Sequence, residues 1–262
     1  MAQRFDGKTI LVTGGAGGMG EAHARAFAAE GGKVLIGDIV DEQGEALAAE
    51  LGDAVHYLHL DVTDEDAWSA FVDHAEKEFG PVSVLVNNAG IGAGGPIEDI
   101  TFEDWRKALA INLDGTFLGS RAVVPSMKKA GGGSIINVSS YAGQRGTSFS
   151  TPYTASKFGV VGLTKALATE VADFGIRVNS VHPGYIRTPI LGETNDNVVM
   201  GKVPIRRMGR PEEVSRMVLF LASDEASYST GSEFSVDGGW AAGSPVMIGE
   251  SNADFEARIG GE

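Results

Sequence analysis

The chain has 262 residues, 43% of them hydrophobic, and a formal net charge of −14 at neutral pH with no cysteine. That size suits one sizeable α/β domain over 1–262, and the lack of cysteine excludes a disulfide framework and thiolate chemistry. The negative balance disfavours nucleic acid, acidic membrane surfaces and, more weakly, an acidic carrier protein as partners.

In chain order, Met1-Ala2-Gln3-Arg4-Phe5-Asp6 lacks the apolar core of a signal peptide. No later apolar run approaches the ~20 residues of a membrane span, so a cytoplasmic location is expected. A short apolar strand over 9–13 enters a turn with glycines at 14, 15, 17, 18 and 20, followed by an alanine-rich helix over 18–30. Gly14, Gly18 and Gly20 permit a tight turn and close backbone approach. The helix start, with Met19, presents free N–H groups and a positive dipole end to a diphosphate. The next strand, 33–38, ends at Asp38, eighteen residues past Gly20. That is close to the ~20 residues expected for the acid that binds an adenosine ribose.

The alternation continues with a helix over 41–51, a strand over 54–60, a helix over 64–79 and a strand over 82–87. A helical stretch over 102–130 is expected to break near Leu113–Gly115. Then come a strand over 133–139, a helix over 152–174, a strand over 176–182, a helix over 211–223 and a strand over 233–236. This pattern predicts a doubly wound, mostly seven-stranded parallel sheet with helices on both faces. Ligands of such sheets bind beyond the carboxyl ends of the strands, where Asp38, Asp61, Asn88, Ser140 and Pro183 fall.

Ser140 closes the fifth of these strands, thirteen residues before Tyr153. Ser150, Thr151 and Pro152 read as a helix start, a hydroxyl cap followed by proline in the first turn. On that helix Tyr153 and Lys157 are i and i+4 and share a face. A phenol that ionises near pH ~10 must be shifted by about 3 units, roughly 4 kcal/mol, to work near pH ~7. One cation at ~4 Å under an effective dielectric of ~20 supplies about that much, so Lys157 is expected to lower Tyr153. Read alone, the Tyr-x-x-x-Lys spacing also describes an exposed helix pair. Asp61 can likewise simply cap the turn from Thr63 to Asp66. The five histidines do not read as metal ligands. His56 and His59 point to opposite faces of a strand, while His23, His74 and His182 are isolated. His182 is expected to be packing.

Together, Thr13-Gly14-x-x-x-Gly18-x-Gly20, Asp61-Val62, Asn87-Asn88-Ala89-Gly90, Asn112, Ser140, Tyr153 with Lys157, Pro183-Gly184 and Asp237-Gly238-Gly239 resemble the short-chain dehydrogenase/reductase family. The resemblance covers nearly the full length. Its wording is most similar to bacterial NAD-dependent 3α/20β-hydroxysteroid and secondary-alcohol dehydrogenases. It implies a Rossmann fold and hydride transfer between a nicotinamide cofactor and a carbinol carbon. Tyr153 would be the acid/base, Ser140 would hold the substrate oxygen, and Lys157 with Asn112 would pass the proton to water. Asp61 and Val62 would bind adenine, and Asn88, Ala89 and Gly90 would line the cofactor cleft. Pro183, Gly184, Thr188 and the backbone of Ile186 would meet the nicotinamide end. Asp38, with Gly17 supplying no cation, points to NAD.

By the same resemblance Ser140, Gln144, Tyr153 and Tyr185 contact substrate. A lid over about 185–208 would contribute Ile186, Ile190, Leu191, Val198, Val199 and Met200, beside Tyr141 and Phe149. Arg145 and Arg187 are expected to point to solvent. The apolar lining favours a hydroxysteroid or cyclic alcohol over a sugar, whose hydroxyls would go unpaired. A 3-oxoacyl thioester reductase and a non-catalytic Rossmann subunit are the alternatives. Apolar residues on more than one face of the helices at 102–130 and 152–174 imply a partner surface, and the family resemblance implies a homotetramer. Trp240 and the tail over 241–262 are expected at subunit contacts or partly disordered.

Overall fold

A computed structural model of the protein describes residues 3–191, 199 and 202–243. Of the lid and tail, Val198, Met200, the side chain of Ile190 and everything past 243 lie outside the described residues.

Seven parallel strands form one sheet: β1 (Thr9–Thr13), β2 (Lys33–Asp38), β3 (Val55–His59), β4 (Val82–Asn87), β5 (Gly133–Val138), β6 (Ile176–Pro183) and β7 (Glu233–Val236). Their order across the sheet is β3-β2-β1-β4-β5-β6-β7, which makes it the doubly wound parallel sheet that the alternation predicts. β1 pairs with both β2 and β4, so the winding reverses at β1. A crevice opens beyond the carboxyl ends of strands at such a reversal.

The central strands are buried on both faces, which is why Ile10-Leu11-Val12 and Val34-Leu35-Ile36 are unbroken apolar runs. Ile10, Val12, Val34 and Ile36 pack on one face against Phe27 of α1 (Gly18–Ala29), Leu47 of α2 (Asp41–Leu51) and Val214 of the last helix. Leu11 and Leu35 pack on the other against Trp68 and Phe71 of α3 (Glu65–Phe79), Val123 and Met127, and Ala168. Burying each large apolar side chain is worth about 1.5–3 kcal/mol, so these two layers carry the fold.

Asn87 and Asn137 sit inside the second layer, where an unpaired amide would cost about 1–3 kcal/mol. They avoid that cost by bonding each other: Asn87 Nδ2 donates to Asn137 Oδ1 at 2.9 Å, and Asn137 Nδ2 to Thr164 Oγ1 at 2.9 Å. This chain ties β4 and β5 to α6 (Thr151–Val171), the helix of Tyr153 and Lys157.

Two local features differ from the sequence reading. The stretch expected to break near Leu113–Gly115 does not break. α4 (Phe102–Leu109) passes into α5 (Gly115–Ala130) through one π turn over Ala110–Asp114, in which Gly115 N–H bonds Ala110 O. The wider turn carries the fully buried Asn112. At the start of α6, Ser150 occupies the cap position but its hydroxyl makes no cap bond; Pro152 in the first turn is as expected. A further helix, α7, covers Pro211–Ala222.

Candidate active site

The site begins at the glycine turn between β1 and α1. Gly14 and Gly18 adopt φ of +61° and +58°, a region closed to most side chains. A Cβ on Gly20 would stand 2.0 Å from Gly14 O, and one on Gly14 2.8 Å from Ala89 Cα. The turn is therefore pressed against the end of β4. Polar bonds fix that approach. Thr13 Oγ1 accepts the N–H groups of Asn88 and Ala89, each at 3.0 Å, and Asn88 Nδ2 donates to Thr13 O and Gly14 O at 2.9 and 3.1 Å. Asn88 Oδ1 is buried beside the turn with no partner among the described residues. Gly17 gives α1 no side-chain cap, so the amides of Gly18, Met19 and Gly20 have no intrahelical acceptor.

These groups open into a cleft of about 690 Å³ whose walls include Asp38, Asp61, Val62 and Ala89. Asp38 closes β2, and its carboxylate accepts the N–H groups of Ala16, Ile39 and Val40 at 3.0, 2.7 and 3.1 Å. A carboxylate has about four acceptor positions, so Asp38 can still take a ribose hydroxyl. Asp61 Oδ1 accepts from the N–H and hydroxyl of Thr63 at 2.9 and 2.8 Å, the capping role its sequence also allowed. Both settings are real: Asp61 caps a turn and faces the cleft.

A second cavity, about 320 Å³, adjoins the first and shares Met19, Asn88, Gly90 and Thr188 with it. Ser140, Tyr153 and Lys157 come together there, as do Tyr185, Pro183, Gly184 and Ile186. Ser140 Oγ accepts Ala142 N–H at 3.1 Å, and its hydroxyl is hydrogen-bonded with the Tyr153 phenol. Lys157 Nζ donates to Val138 O at 3.0 Å and lies 5.6 Å from the centroid of the Tyr153 ring. Gly184 reaches the floor because a Cβ would stand 2.7 Å from Asp237 Cα, which accounts for the Pro-Gly and Asp-Gly-Gly pairing across β6 and β7.

The electrostatics correct one expectation. Burial pushes the Tyr153 phenol above its ordinary value, partly opposed by the Ser140 hydrogen bond and reinforced by nearby Tyr141. Lys157 does not pull it down. Burial lowers Lys157 itself to about 8, so its own charge is disfavoured in the enclosed site. Burial is the largest influence on the phenol, and the roughly 4 kcal/mol expected of a cation at ~4 Å is not felt there.

Asn112 Oδ1 accepts Ile91 N–H at 2.8 Å, and Nδ2 donates to Ile91 O and Ser156 Oγ at 3.0 and 3.1 Å. Asn112 Oδ1 and Lys157 Nζ approach Gly90 together: a Cβ there would meet them at 3.0 and 3.4 Å. Gln144 is displaced from the expected substrate contacts. Its Oε1 accepts the hydroxyl of Ser235 on β7 at 3.1 Å, and it does not line the cavity. Arg145 and Arg187 are exposed and also stand off the cavity wall.

Two residues of the site carry more than the sequence reading gave them. His182 is fully buried; its Nδ1 lies 2.9 Å from Ser140 O and its Nε2 2.9 Å from Ser180 Oγ, and burial holds its pKa below the usual range. Neutral, with Nδ1 protonated, it donates to the Ser140 backbone and accepts from Ser180. The β5–β6 register, Val138 opposite Val181, is the signal that sets His182 beside Ser140. Trp240, expected at a subunit contact or partly disordered, stacks on Tyr141 and Tyr185 of its own chain. Among the described residues no group of histidine, aspartate and glutamate could hold a metal ion.

Known proteins share this architecture. A family profile described as enoyl-(acyl carrier protein) reductase matches residues 14–241. The 3-alpha-(or 20-beta)-hydroxysteroid dehydrogenase of Mycobacterium tuberculosis is 54% identical over 243 residues, 93% of each chain. The cyclopentanol dehydrogenase of Comamonas testosteroni is 45% identical over 247 residues, 91% of this chain and 99% of that one. A short-chain type dehydrogenase/reductase from Mycobacterium marinum superposes with a TM-score of 0.86 at 36% identity, over 91% of this chain and 97% of that one. Agreement of this extent, running from the glycine turn past β7, shows that the chain belongs to the short-chain dehydrogenase/reductase family, oxidoreductases that use a nicotinamide cofactor.

Proposed function

We propose that the protein interconverts a secondary alcohol and its ketone with NAD(H), on a bulky apolar substrate such as a hydroxysteroid or cyclic alcohol. The observation that carries this is the meeting of Ser140, Tyr153 and Lys157 where a largely apolar cavity adjoins the cleft behind the glycine turn. The cleft fits a dinucleotide: free amides open α1, Gly20 has no room for a Cβ, and Asn88 Oδ1 awaits a donor. When bound, the nicotinamide supplies or accepts the hydride.

The chain's residues do the rest. Tyr153, held protonated by burial, gives its proton to the ketone oxygen during reduction. Ser140 donates to the same oxygen and fixes its position. Lys157 holds the nicotinamide ribose, and Asn112, beside it at Gly90, joins it in returning a proton to Tyr153. In the same reading, Asp61 and Val62 border the adenine, and Ala89 and Gly90 line the ribose path. Pro183, Gly184, Ile186 and Thr188 receive the carboxamide, while Tyr185 borders the substrate. NAD is favoured over NADP because the Asp38 carboxylate repels a 2′-phosphate and Gly17 offers no cation to hold one. The exposed rings of Phe117 on α5 and Phe158 on α6 support pairing of these helices between subunits of a homotetramer. No described helix is long and apolar enough to cross a membrane; a cytoplasmic location belongs to the same proposal.

The test is a set of initial rates with NADH and NADPH on a cyclic ketone, an acyclic 3-oxo thioester and an aldose. The cyclic ketone with NADH is expected to give the highest kcat/KM, with NADPH lower by about tenfold or more, roughly 1.4 kcal/mol of charge repulsion. Equal use of both cofactors would overturn the role of Asp38. Preference for the thioester or aldose would overturn the substrate class.

A further inference from the structure

Tyr141 and Tyr185 line the cavity that holds Ser140, Tyr153 and Lys157; Trp240 does not. Each tyrosine follows a residue fixed by the site, Ser140 in one case and Gly184 in the other, so each ring position is tied to the catalytic floor. Trp240 touches both. Its centroid is 4.3 Å from the Tyr141 ring at 22° and 4.3 Å from the Tyr185 ring at 14°, while the two tyrosine rings are 5.8 Å apart at 36°. Were the indole sandwiched, the tyrosines would be separated by twice the stacking distance. The shorter separation places both phenol rings side by side on one face of the indole. Trp240 is therefore a plate behind two rings that face the cavity.

The plate is held firmly. Asp237 Oδ1 and Oδ2 accept the N–H groups of Gly239 and Ala241 at 2.9 and 2.7 Å, and Trp240 N–H bonds Asp237 O at 3.3 Å. Gly238 and Gly239, at φ of +66° and +88°, supply the left-handed turn that presents the indole. Trp240 packs with Tyr185 and Leu191 against a small cluster of Val199, Val203 and Met208. Ile205 N–H bonds Gly238 O at 3.1 Å, joining that packing to the same turn. The Tyr185 hydroxyl is pushed up to about 12, first by burial and then by the neighbouring Tyr141, so Tyr185 keeps its proton at neutral pH.

The geometry points to Trp240 as a specificity-determining residue of this site: acting through Tyr141 and Tyr185, it holds an aromatic wall against which a flat ring system lies. This rests on the proposed reading of the site as one for ring-bearing alcohols and ketones. A rigid, flat ring system buries apolar area against such a wall with little ordering cost, whereas a flexible acyclic chain buries less and loses more freedom. Loosening the wall should therefore penalise ring binding more than the chemical step.

The experiment compares the protein with W240A and W240F on a fused-ring ketone and a small acyclic ketone, together with equilibrium binding of the fused-ring ketone to each. W240A should lower the ratio of kcat/KM for the fused ring to that for the acyclic ketone by about tenfold or more, mainly through KM. W240F, which keeps an aromatic plate, should restore the ratio to within about threefold. A ratio unchanged in W240A, or a loss in W240F equal to that in W240A, would overturn the inference. Ring binding that weakens in W240A but is never followed by reduction in the wild type would contradict the function reading alone. A wild type that neither binds nor reduces the fused-ring ketone would contradict both.

Discussion

Replacing Tyr153 by Phe is expected to lower kcat for ketone reduction by about 10²-fold or more while the affinity for NADH changes by less than about threefold. The phenol is enclosed in the cavity, hydrogen-bonded with Ser140, and raised by burial so that it carries its proton at neutral pH. The variant removes that proton and keeps the ring. Ser140 retains its backbone partner, Ala142 N–H, and Lys157 retains Val138 O, so the remaining geometry is anchored independently of the hydroxyl. Transient kinetics on the NADH–enzyme complex checks both quantities. A Phe variant that keeps most of its kcat would assign proton transfer to another group, and the mechanism would fall.

Gly20→Ala is expected to damage binding before chemistry. The added Cβ would stand 2.0 Å from Gly14 O and 2.7 Å from Asn88 Nδ2. Neither neighbour is a flexible side-chain tip: Gly14 O is backbone, and the Asn88 amide is the clasp that joins the turn to β4. Relief must open the turn. Overpacking of this kind costs about 1–3 kcal/mol, and each 1.4 kcal/mol of it felt at the cleft is about tenfold in Kd. Calorimetric titration with NADH should therefore show a Kd raised by about tenfold or more, with denaturant unfolding displaced to lower concentration. Wild-type affinity in this variant would mean that the glycine turn does not shape the cofactor site.

Much of this was legible in the sequence because the signals were local or closely spaced. Apolar runs bounded by glycine located β1 and β2, and alternation with helices pointed to a parallel sheet. The glycine turn, Asp38, Ser140, Tyr153 and Lys157 all fall at the carboxyl ends of strands or on the helix beside them, where the winding rule puts a site. What escaped was set by distant neighbours. The poor helix propensity of Asn112 marked an irregularity, but only the packing of its side chain against Ile91 and Ser156 fits it to a π turn rather than a break. The direction of the Tyr153 shift depends on how much protein encloses it, which spacing to Lys157 does not report. Gln144 turns to Ser235 because β7 runs beside it, and Trp240 meets Tyr141 across a hundred residues of chain. His182 reads as packing until the β5–β6 register sets its imidazole against Ser140.

The central claim is hydride delivery to a carbonyl carbon, and a cyclic enone with NADH carrying deuterium at both C4 positions tests it most directly. Such a ketone offers a carbonyl carbon and an alkene carbon in one molecule, so the product records which of them the site presents to the cofactor. In the proposed reading Ser140 and Tyr153, which line one cavity, converge on a single substrate oxygen, and their proton and hydrogen bond favour charge developing there. The expected product is an allylic alcohol with one deuterium on the carbinol carbon for each NADH consumed. Deuterium on the ring carbon of a saturated ketone, or no oxidation of NADH by any cyclic ketone, would contradict it.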